Sequence, residues 1–341
     1  MTLIGLEHTQ SLLEDMRARG QLVCATVGAR HAGGDAFTVT VGAGDPHPRW
    51  RLYCASKPML AHTALTLLAE GGISVGSDVG ELIGVSALAG LSIDGVLSHT
   101  GGLRSTAGED FHPTDYRSLV ELPRERVMDD TLTGTLFYSH TLAWSVLALV
   151  VEKLSGADFA EAVAGTTLDP FALTDTSYHL DPERTNSYSA VVDGAAVSLR
   201  DKRHPSYGSP NPSWGGASTI EDMLQFYTVL RERQVRGDPV VNRMAEERWF
   251  PGSEGRPPRS FGRGLFVDMQ REGASSRCSE RNFGHGASAL FGRRDHLVNL
   301  FWYDVDAETA FGMILDGAVA RGDARFPSIA KALYADLEGA R

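Results

Sequence analysis

Apolar and polar residues recur with different periods at the two ends and in the middle of the chain. Residues 6–19 carry apolar side chains at helical spacing, which predicts an amphipathic helix. Two runs of alternating apolar residues follow at 21–29 and 35–44, and the turn residues between them predict a β-hairpin. We therefore expect the chain to begin with one helix and two paired strands.

The middle of the chain has a mainly helical pattern. Residues 58–72 are a run of helix formers that ends in two glycines. Residues 141–154 are apolar on nearly every face, which is typical of a buried helix. Other helical runs between about 75 and 235 are separated by connections rich in Gly, Pro, Asn and Ser.

Strand patterns return in the last third of the chain. Residues 261–269, 287–294, 296–304 and 310–318 predict strands, and residues 327–340 predict a final amphipathic helix. Strands at both ends with helices between them indicate one sheet built from both termini. We expect a discontinuous sheet domain at 1–75 and 236–341, and a mainly helical insertion domain at 76–235.

Composition and charge narrow the class of protein. The chain has 341 residues, of which 42% are hydrophobic and 22% charged, as in ordinary globular proteins. Its net charge of −11 is spread along the chain without a basic cluster, so we expect no nucleic-acid partner. The N-terminal segment lacks the basic start and apolar run of an export signal, and no apolar stretch is long enough to span a bilayer. Three cysteines are a sparse, odd set that favours reduced thiols. We expect a cytoplasmic protein with no membrane association.

The candidate nucleophile lies in the segment WRLYCASKPML, residues 50–60. Proline is tolerated in the first turn of a helix, so Pro58 places the helix start near Cys54. The positive end of the helix dipole favours a thiolate there, and Lys57, three residues on, lies on the same face. Ser56 points elsewhere, so the spacing favours Cys54 and Lys57 as the reactive pair.

Two further segments carry groups that can move a proton or bind a negative charge. Tyr138 and His140 precede the apolar helix and can both face a cleft. The segment His285-Gly286-Ala287-Ser288 opens a predicted strand, where small residues let a ligand approach the backbone and its N–H donors. Each group alone is more typical of structural residues, and only their joint order along the chain suggests one site. The sequence has no residues at a spacing typical of zinc ligands, no phosphate-binding loop and no dinucleotide-binding motif, so we expect no metal and no cofactor.

This order of motifs resembles the serine β-lactamase and penicillin-binding-protein superfamily, in particular its class C β-lactamase, family VIII esterase and D-aminopeptidase branch. A lysine three residues after the nucleophile is the S-x-x-K pattern of that superfamily. The resemblance covers nearly the whole chain and includes "VLSHTGGL" at 96–103, which we expect to be a structural turn under the cleft, "LDPFALTDTSY" at 168–178 and "WGGASTIEDMLQF" at 214–226. It implies an α+β fold of the β-lactamase and transpeptidase type. In that fold helices flank an antiparallel sheet in an α/β sandwich, and we expect the active site in the cleft between the sheet domain and the helical insertion domain.

The resemblance also assigns roles to single residues. It places the nucleophilic serine of the family at Cys54 and its lysine at Lys57. The tyrosine that exchanges a proton with this lysine falls on Tyr138, and the asparagine two residues later falls on His140. The Lys-Thr-Gly or His-Gly-Gly strand element falls on His285, Gly286 and Ala287. The implied oxyanion hole consists of the backbone N–H groups of Cys54 and Ser288, and we expect Gly286, Ala287 and Trp214 to line the substrate cleft.

The departures from the family pattern are Cys for Ser, His for Asn and Ala for the last Gly. A thiol beside Lys57 can ionise at neutral pH, and its thioester reacts readily with amines relative to water. His140 could deprotonate the acceptor. We expect an acyltransferase of a biosynthetic pathway that passes an acyl group from an ester or carrier thioester to an amine or alcohol. Its partners would be a small-molecule donor and acceptor, or an acyl carrier protein. The alternatives are an esterase or amidase with the same site, and a binding protein without catalysis.

Overall fold

The structure is a computed structural model, and it describes residues 5–42, 47–108, 110–181, 185–186, 189–192, 195–198, 209–250, 259–271, 274–291, 295–317 and 325–339. In chain order its strands are β1 (Cys24–His31), β2 (Ala36–Val41), β3 (Arg49–Arg51), β4 (Gly101–Leu103), β5 (Met128–Thr133), β6 (Thr185–Asn186), β7 (Ser189–Val192), β8 (Ala195–Ser198), β9 (Ala217–Ser218), β10 (Arg248–Phe250), β11 (Arg259–Phe261), β12 (Asn282–Phe291), β13 (Asp295–Asp304) and β14 (Thr309–Gly317).

The helices are α1 (Glu7–Ala18), α2 (Lys57–Glu70), α3 (Val79–Ile83), α4 (Ile93–Leu97), α5 (Arg124–Val127), α6 (Leu142–Ser155), α7 (Phe159–Val163), α8 (Ile220–Val235), α9 (Pro239–Met244) and α10 (Arg325–Glu338). Four 3-10 segments (Tyr53–Ser56, Ser86–Leu88, Pro113–Glu121 and Asp169–Phe171) and a π-helical turn (Ala164–Leu168) complete the helical structure of the described residues.

Strands from both ends of the chain form the central sheet. Its five antiparallel strands lie in the order β12-β13-β14-β1-β2. The C-terminal β14 pairs with the N-terminal β1 over the full length of β1, from Cys24 opposite Asp316 to His31 opposite Thr309. β12 is an edge strand of this sheet, and it contacts the 3-10 turn Tyr53–Ser56.

The sheet is the middle layer of a sandwich. Side chains alternate between the two faces of a strand. On one face, Val298, Leu300 and Trp302 of β13 pack in a cluster with α1 and α10. On the other face, Phe301 and Tyr303 pack in a cluster with α8, which contacts β1, β13 and β14. Side chains at odd positions of β13 therefore point to the α8 side.

The helical part is built around α2 and α6, which pack against each other. α6 is buried from Leu142 to Val151 apart from the half-buried Leu149, in agreement with its continuous apolar sequence. α2 also contacts α7 and α9, and α6 contacts α3, α4 and the segment Pro113–Glu121. Since α2 begins directly after the turn Tyr53–Ser56, this packing fixes the position of that turn.

The predicted α+β class with an antiparallel sheet is confirmed, as are the N-terminal hairpin, the helix at Pro58, the apolar helix and the last helix. The predicted strand at 261–269 is wrong. Only Phe261 of this range lies in a strand, and Gly264 has a φ of +82°, which turns the chain. The predicted strand at 287–294 is part of β12, and residues 292–294 lie outside the described residues.

The division into two domains stays a prediction. α8 falls within the range 76–235 that we assign to the insertion, and in the structure it packs on the central sheet. Across the described part of the chain, no helix has both the length and the apolar character needed to cross a membrane.

Candidate active site

Cys54 lies in the 3-10 turn Tyr53–Ser56 at the start of α2. It is the one residue of this turn that is only partly buried. Ser56 is fully buried, and its hydroxyl donates a hydrogen bond of 2.8 Å to the carbonyl oxygen of Tyr53. The accessible nucleophile of the segment is therefore the Cys54 thiol, while Ser56 stabilises the turn.

The backbone of this turn is held in a conformation that most residues avoid. Tyr53 has a φ of +49°, in the left-handed region that costs a non-glycine residue on the order of 1 kcal/mol. Three carbonyl oxygens around it accept side-chain hydrogen bonds. Leu52 accepts from Asn299 Nδ2 at 2.9 Å, Tyr53 accepts from Ser56, and Ser56 accepts from the hydroxyl of Tyr178 at 2.7 Å. Neither Asn299 nor Tyr178 is among the site residues that the sequence predicts.

Lys57 is the first residue of α2 and is fully buried. Its Nζ donates hydrogen bonds to the Tyr138 hydroxyl at 3.0 Å and to the His140 carbonyl oxygen at 3.1 Å. Burial lowers the pKa of Lys57, and the negative charge of the Cys54 thiolate and a hydrogen bond to it act in the opposite direction. Two of the three N–H donors of an ammonium group at Lys57 are therefore paired with oxygen atoms, and the Cys54 thiolate is its neighbouring negative charge.

Tyr138 links Lys57 to the edge strand β12. The Tyr138 hydroxyl lies 3.4 Å from His285 Nε2, and His285 Nδ1 lies 3.0 Å from the carbonyl oxygen of Gly286. Because a carbonyl oxygen only accepts, His285 carries its proton on Nδ1 and accepts at Nε2. The hydrogen bonds therefore run from Lys57 through the Tyr138 hydroxyl to His285.

His285 is neutral in this chain of hydrogen bonds. Burial and the positive charge of Lys57 lower the pKa of His285 to about 3, although the hydrogen bond to Gly286 favours the charged form. At neutral pH it therefore carries no charge. Its place in the site is that of an acceptor for the Tyr138 hydroxyl.

The Cys54 thiol is activated by two cationic or hydrogen-bonding neighbours. Burial raises its pKa, but the positive charge of Lys57, the hydrogen bond and charge of His140 and a hydrogen bond with Lys57 outweigh burial. Together they lower the pKa of Cys54 from 9.0 to about 6. At pH 7 about 90% of a thiol with this pKa is ionised.

His140 lies at the entrance of the site. Its side chain is exposed, and its ring packs edge-on against Tyr138 with the ring centroids 4.9 Å apart. Its imidazole interacts with the Cys54 thiol, while its carbonyl oxygen accepts from Lys57. The thiol therefore lies between a buried ammonium group and an exposed imidazole.

The segment from His285 to Ser288 lies in β12. Gly284 donates its N–H to the carbonyl oxygen of Phe266 at 2.8 Å, outside the pairing of β12 with β13. N–H directions alternate along an antiparallel strand, so the N–H of Ser288 points to the same side, away from β13. Gly286 and Ala287 precede it, and both are buried.

Trp214 approaches the nucleophile turn from a separate segment. It is half-buried and packs edge-on against His112 with centroids 6.0 Å apart. Two residues later, the carbonyl oxygen of Gly216 accepts the Leu52 N–H at 2.8 Å. This contact brings the loop that carries Trp214 next to the turn that carries Cys54.

His99 packs against Tyr138, as expected if the segment 96–103 is a structural turn next to the cleft. It is buried, has a φ of +59°, and accepts the Ser139 N–H on Nδ1 at 3.2 Å. Its ring centroid lies 4.3 Å from that of Tyr138. Burial lowers the pKa of His99 well below its usual value, and Lys57 acts in the same direction. Among the described residues, no group of His, Cys, Asp and Glu could hold a metal ion.

These features define a class of protein. An accessible thiol at the start of a helix, a buried lysine three residues later, a tyrosine on that lysine and an edge strand beside them lie together, as expected from the resemblance to the transpeptidase-like fold. The family model described as Beta-lactamase matches residues 9–334. The chain therefore belongs to the β-lactamase family.

Solved structures share this fold over nearly the whole chain. A D-stereospecific amidohydrolase from Streptomyces sp. is 21% identical, with a TM-score of 0.67 over 95% of this chain and 97% of that one. A D-amino acid amidase from Ochrobactrum anthropi SV3 is 16% identical, with a TM-score of 0.72 over 98% and 99%. EstCE1, described as a hydrolase with promiscuous acyltransferase activity, is 18% identical, with a TM-score of 0.69 over 96% and 98%. No curated protein matches the sequence.

Proposed function

We propose that the protein is an acyltransferase that carries the acyl group as a thioester on Cys54 and passes it to an amine or alcohol. The observation that carries this proposal is the position of the Cys54 thiol between Lys57 and His140, with a pKa of about 6. A thiolate needs no base before it attacks, and an exposed imidazole beside it is available to the acceptor. The family asparagine, which His140 replaces, has no proton to exchange at neutral pH.

In the acylation step, Cys54 Sγ forms a bond to the carbonyl carbon of the donor. The carbonyl oxygen becomes negative, and the N–H groups of Cys54 and Ser288 are the proposed donors to it. The intermediate collapses when the bond from carbon to the leaving atom breaks. The leaving atom takes a proton from the Lys57 and Tyr138 pair, and the acyl group remains on sulfur.

The low pKa of Cys54 favours a thioester donor. The group with the lower pKa leaves a tetrahedral intermediate faster. An alkoxide or amide ion is a far poorer leaving group than the Cys54 thiolate, so the intermediate of such a donor mostly reverts. The thiolate of a donor thiol with a pKa of about 8.5 leaves the intermediate more readily than an alkoxide or amide ion, so it competes better with expulsion of the Cys54 thiolate.

In the transfer step, the acceptor amine or hydroxyl attacks the thioester carbon. His140 takes its proton as the new bond forms, and the carbon–sulfur bond then breaks to return the Cys54 thiolate. The proton on His140 then passes to the Lys57 and Tyr138 pair, which gave one to the leaving atom during acylation. We propose that donor and acceptor are small molecules of a biosynthetic pathway in the cytoplasm, with an acyl carrier protein as an alternative carrier of the donor. The acyltransferase activity named for EstCE1, a structure of the same fold, supports transfer on this scaffold.

A hydrolase with the same nucleophile is the second candidate, and the amidases with this fold favour it. The test is to supply a small acyl thioester with increasing concentrations of a primary amine and to measure amide and acid together. We expect the amide fraction to rise with amine, and the Cys54→Ser variant to shift the product toward acid. Acid as the only product at every amine concentration would establish the hydrolase instead. Turnover that persists in Cys54→Ala would overturn both, and a lack of turnover in the native protein would favour a binding protein.

A further inference from the structure

Asn299 is a buried polar residue in an apolar strand. It lies in β13 between Val298 and Leu300, and only 1% of its surface is exposed. Its odd position directs the side chain to the face of the sheet that Phe301 shares. A buried amide is costly unless its polar atoms are paired, so its partners identify what it does.

The amide of Asn299 joins two backbone segments. Its Oδ1 accepts the N–H of Ala287 at 3.0 Å, and its Nδ2 donates to the carbonyl oxygen of Leu52 at 2.9 Å. Ala287 directly precedes Ser288, and Leu52 lies two residues before Cys54. One rigid, planar group therefore spans the gap between the two segments whose N–H groups form the proposed oxyanion hole.

The two hydrogen bonds of Asn299 restrain the directions of the Cys54 and Ser288 N–H groups as well as the distance between them. Leu52 leads into Tyr53, whose positive φ sets the orientation of the peptide that ends in the Cys54 N–H. The hydrogen bond to the Leu52 carbonyl oxygen restrains the Leu52–Tyr53 peptide plane, which precedes the plane that carries the Cys54 N–H. The hydrogen bond from the Ala287 N–H restrains the Gly286–Ala287 peptide plane, which precedes the plane that carries the Ser288 N–H. Donors must lie within about 2.7–3.1 Å of the oxyanion to stabilise it, so small rotations of either plane matter.

We infer that Asn299 is a positioning residue of the oxyanion hole, which holds the Cys54 and Ser288 N–H groups at the spacing that a tetrahedral intermediate requires. The inference rests on the proposed function, because it presumes acylation at Cys54. It assigns Asn299 no contact with the substrate. Its contribution is confined to reactions in which a carbonyl oxygen becomes negative.

This restriction gives a specific test. Acylation of Cys54 by a p-nitrophenyl ester or a phenyl thioester creates an oxyanion, whereas alkylation by iodoacetamide displaces iodide from a saturated carbon and creates none. We would measure both rates on the full chain for the native protein and for Asn299→Leu, which keeps the branched shape of the side chain and removes both hydrogen bonds. Removal of a whole oxyanion donor costs about 100- to 1000-fold, so misplaced donors should slow acylation by about 10- to 100-fold. Alkylation should stay within about twofold, with the same pH midpoint.

A matched control lies at the other end of β12. Asn282 is also a buried asparagine that links two backbone segments, because its Oδ1 accepts from the Met269 N–H at 2.7 Å and its Nδ2 donates to the Ser279 carbonyl oxygen at 2.6 Å. Asn282→Leu loses the same kinds of bonds outside the site. We expect it to lower the melting temperature without changing the ratio of acylation to alkylation.

The outcomes separate the inference from the proposed function. The role of Asn299 would be overturned if both rates fell equally in Asn299→Leu, or if neither rate changed. If Asn299→Leu does not fold, Asn299→Ala replaces it, and the same two results would overturn the role. A native protein that is alkylated at Cys54 but acylated by neither probe would overturn the proposed function, and the inference with it.

Discussion

The rate of alkylation of Cys54 as a function of pH tests the electrostatics of the site directly. The perturbation is pH itself, and the reaction is single-site modification by iodoacetamide. A thiol whose pKa is lowered is ionised above that pKa and loses its reactivity as the pH falls through it. With a pKa of about 6, the rate should rise with pH, reach half its maximum near pH 6 and be flat above about pH 7.

The expected alkylation rate of Cys54, relative to that of an ordinary thiol, follows from two opposing effects. Relative to a thiol at its ordinary pKa of 9.0, the thiolate fraction is about 90 times larger at pH 7 and about 900 times larger at pH 5. A thiolate also becomes less nucleophilic as its pKa falls, by roughly 20-fold for this shift. The net advantage is about fourfold at pH 7 and about 40-fold at pH 5. Measurements at low pH therefore discriminate best.

The assay follows carbamidomethylation by intact mass between pH 4.5 and 9.5. Cys24 and Cys278 are buried, and burial raises the pKa of Cys278 to about 12, so the fast phase belongs to Cys54. Cys54→Ala should lack this phase, and Lys57→Met should move its midpoint above pH 8 because the largest favourable charge is lost. A native midpoint near 8.5 or higher would refute the proposed activation by Lys57 and His140.

Three other substitutions test the proton route, the acceptor base and the packing of the turn. Tyr138→Phe removes the hydroxyl between Lys57 and His285 and should lower turnover at least tenfold. The alkylation midpoint should stay near pH 6, since the main causes of the lowered thiol pKa are Lys57 and His140; equal turnover would contradict the proton route. His140→Asn should raise that midpoint and lower the yield of amide relative to acid, and an unchanged ratio would exclude His140 as the acceptor base. Gly216→Ala places a Cβ 2.5 Å from the Ser56 Cβ and should cost about 1–3 kcal/mol of stability and most of the activity. Gly165→Ala, whose Cβ meets no atom within 4 Å, is its control, and equal melting temperatures would contradict the close packing.

The reactive residues were predictable because the rules that place them are local. Pro58 cannot lie deep inside a helix, so it fixes the helix start and the spacing from Cys54 to Lys57. The structure agrees, since α2 begins at Lys57 directly after the turn. The joint order of the motifs then indicated the fold, which the family match and the solved structures confirm. The catalytic roles of these residues remain predictions.

The supports of the site could not be predicted, because they connect residues far apart in sequence. The bond from Tyr178 to Ser56 spans 122 positions, and the bond from Asn299 to Leu52 spans 247. In the sequence, Asn299 is a polar residue within the mainly apolar run "HLVNLFWYD". Only this break in the apolar pattern distinguishes it. The false strand at 261–269 has a related cause, since apolar residues gave a strand pattern although Gly264 turns the backbone.

Acylation of Cys54 is measured most directly as the mass of the intact protein after brief mixing with a small acyl thioester. We predict one added acyl group that peptide mapping locates on Cys54. The group should be missing in Cys54→Ala and should disappear on addition of a primary amine as an equal amount of amide forms. An acyl group on any other residue, or an adduct that water removes as fast as the amine does, would contradict this prediction.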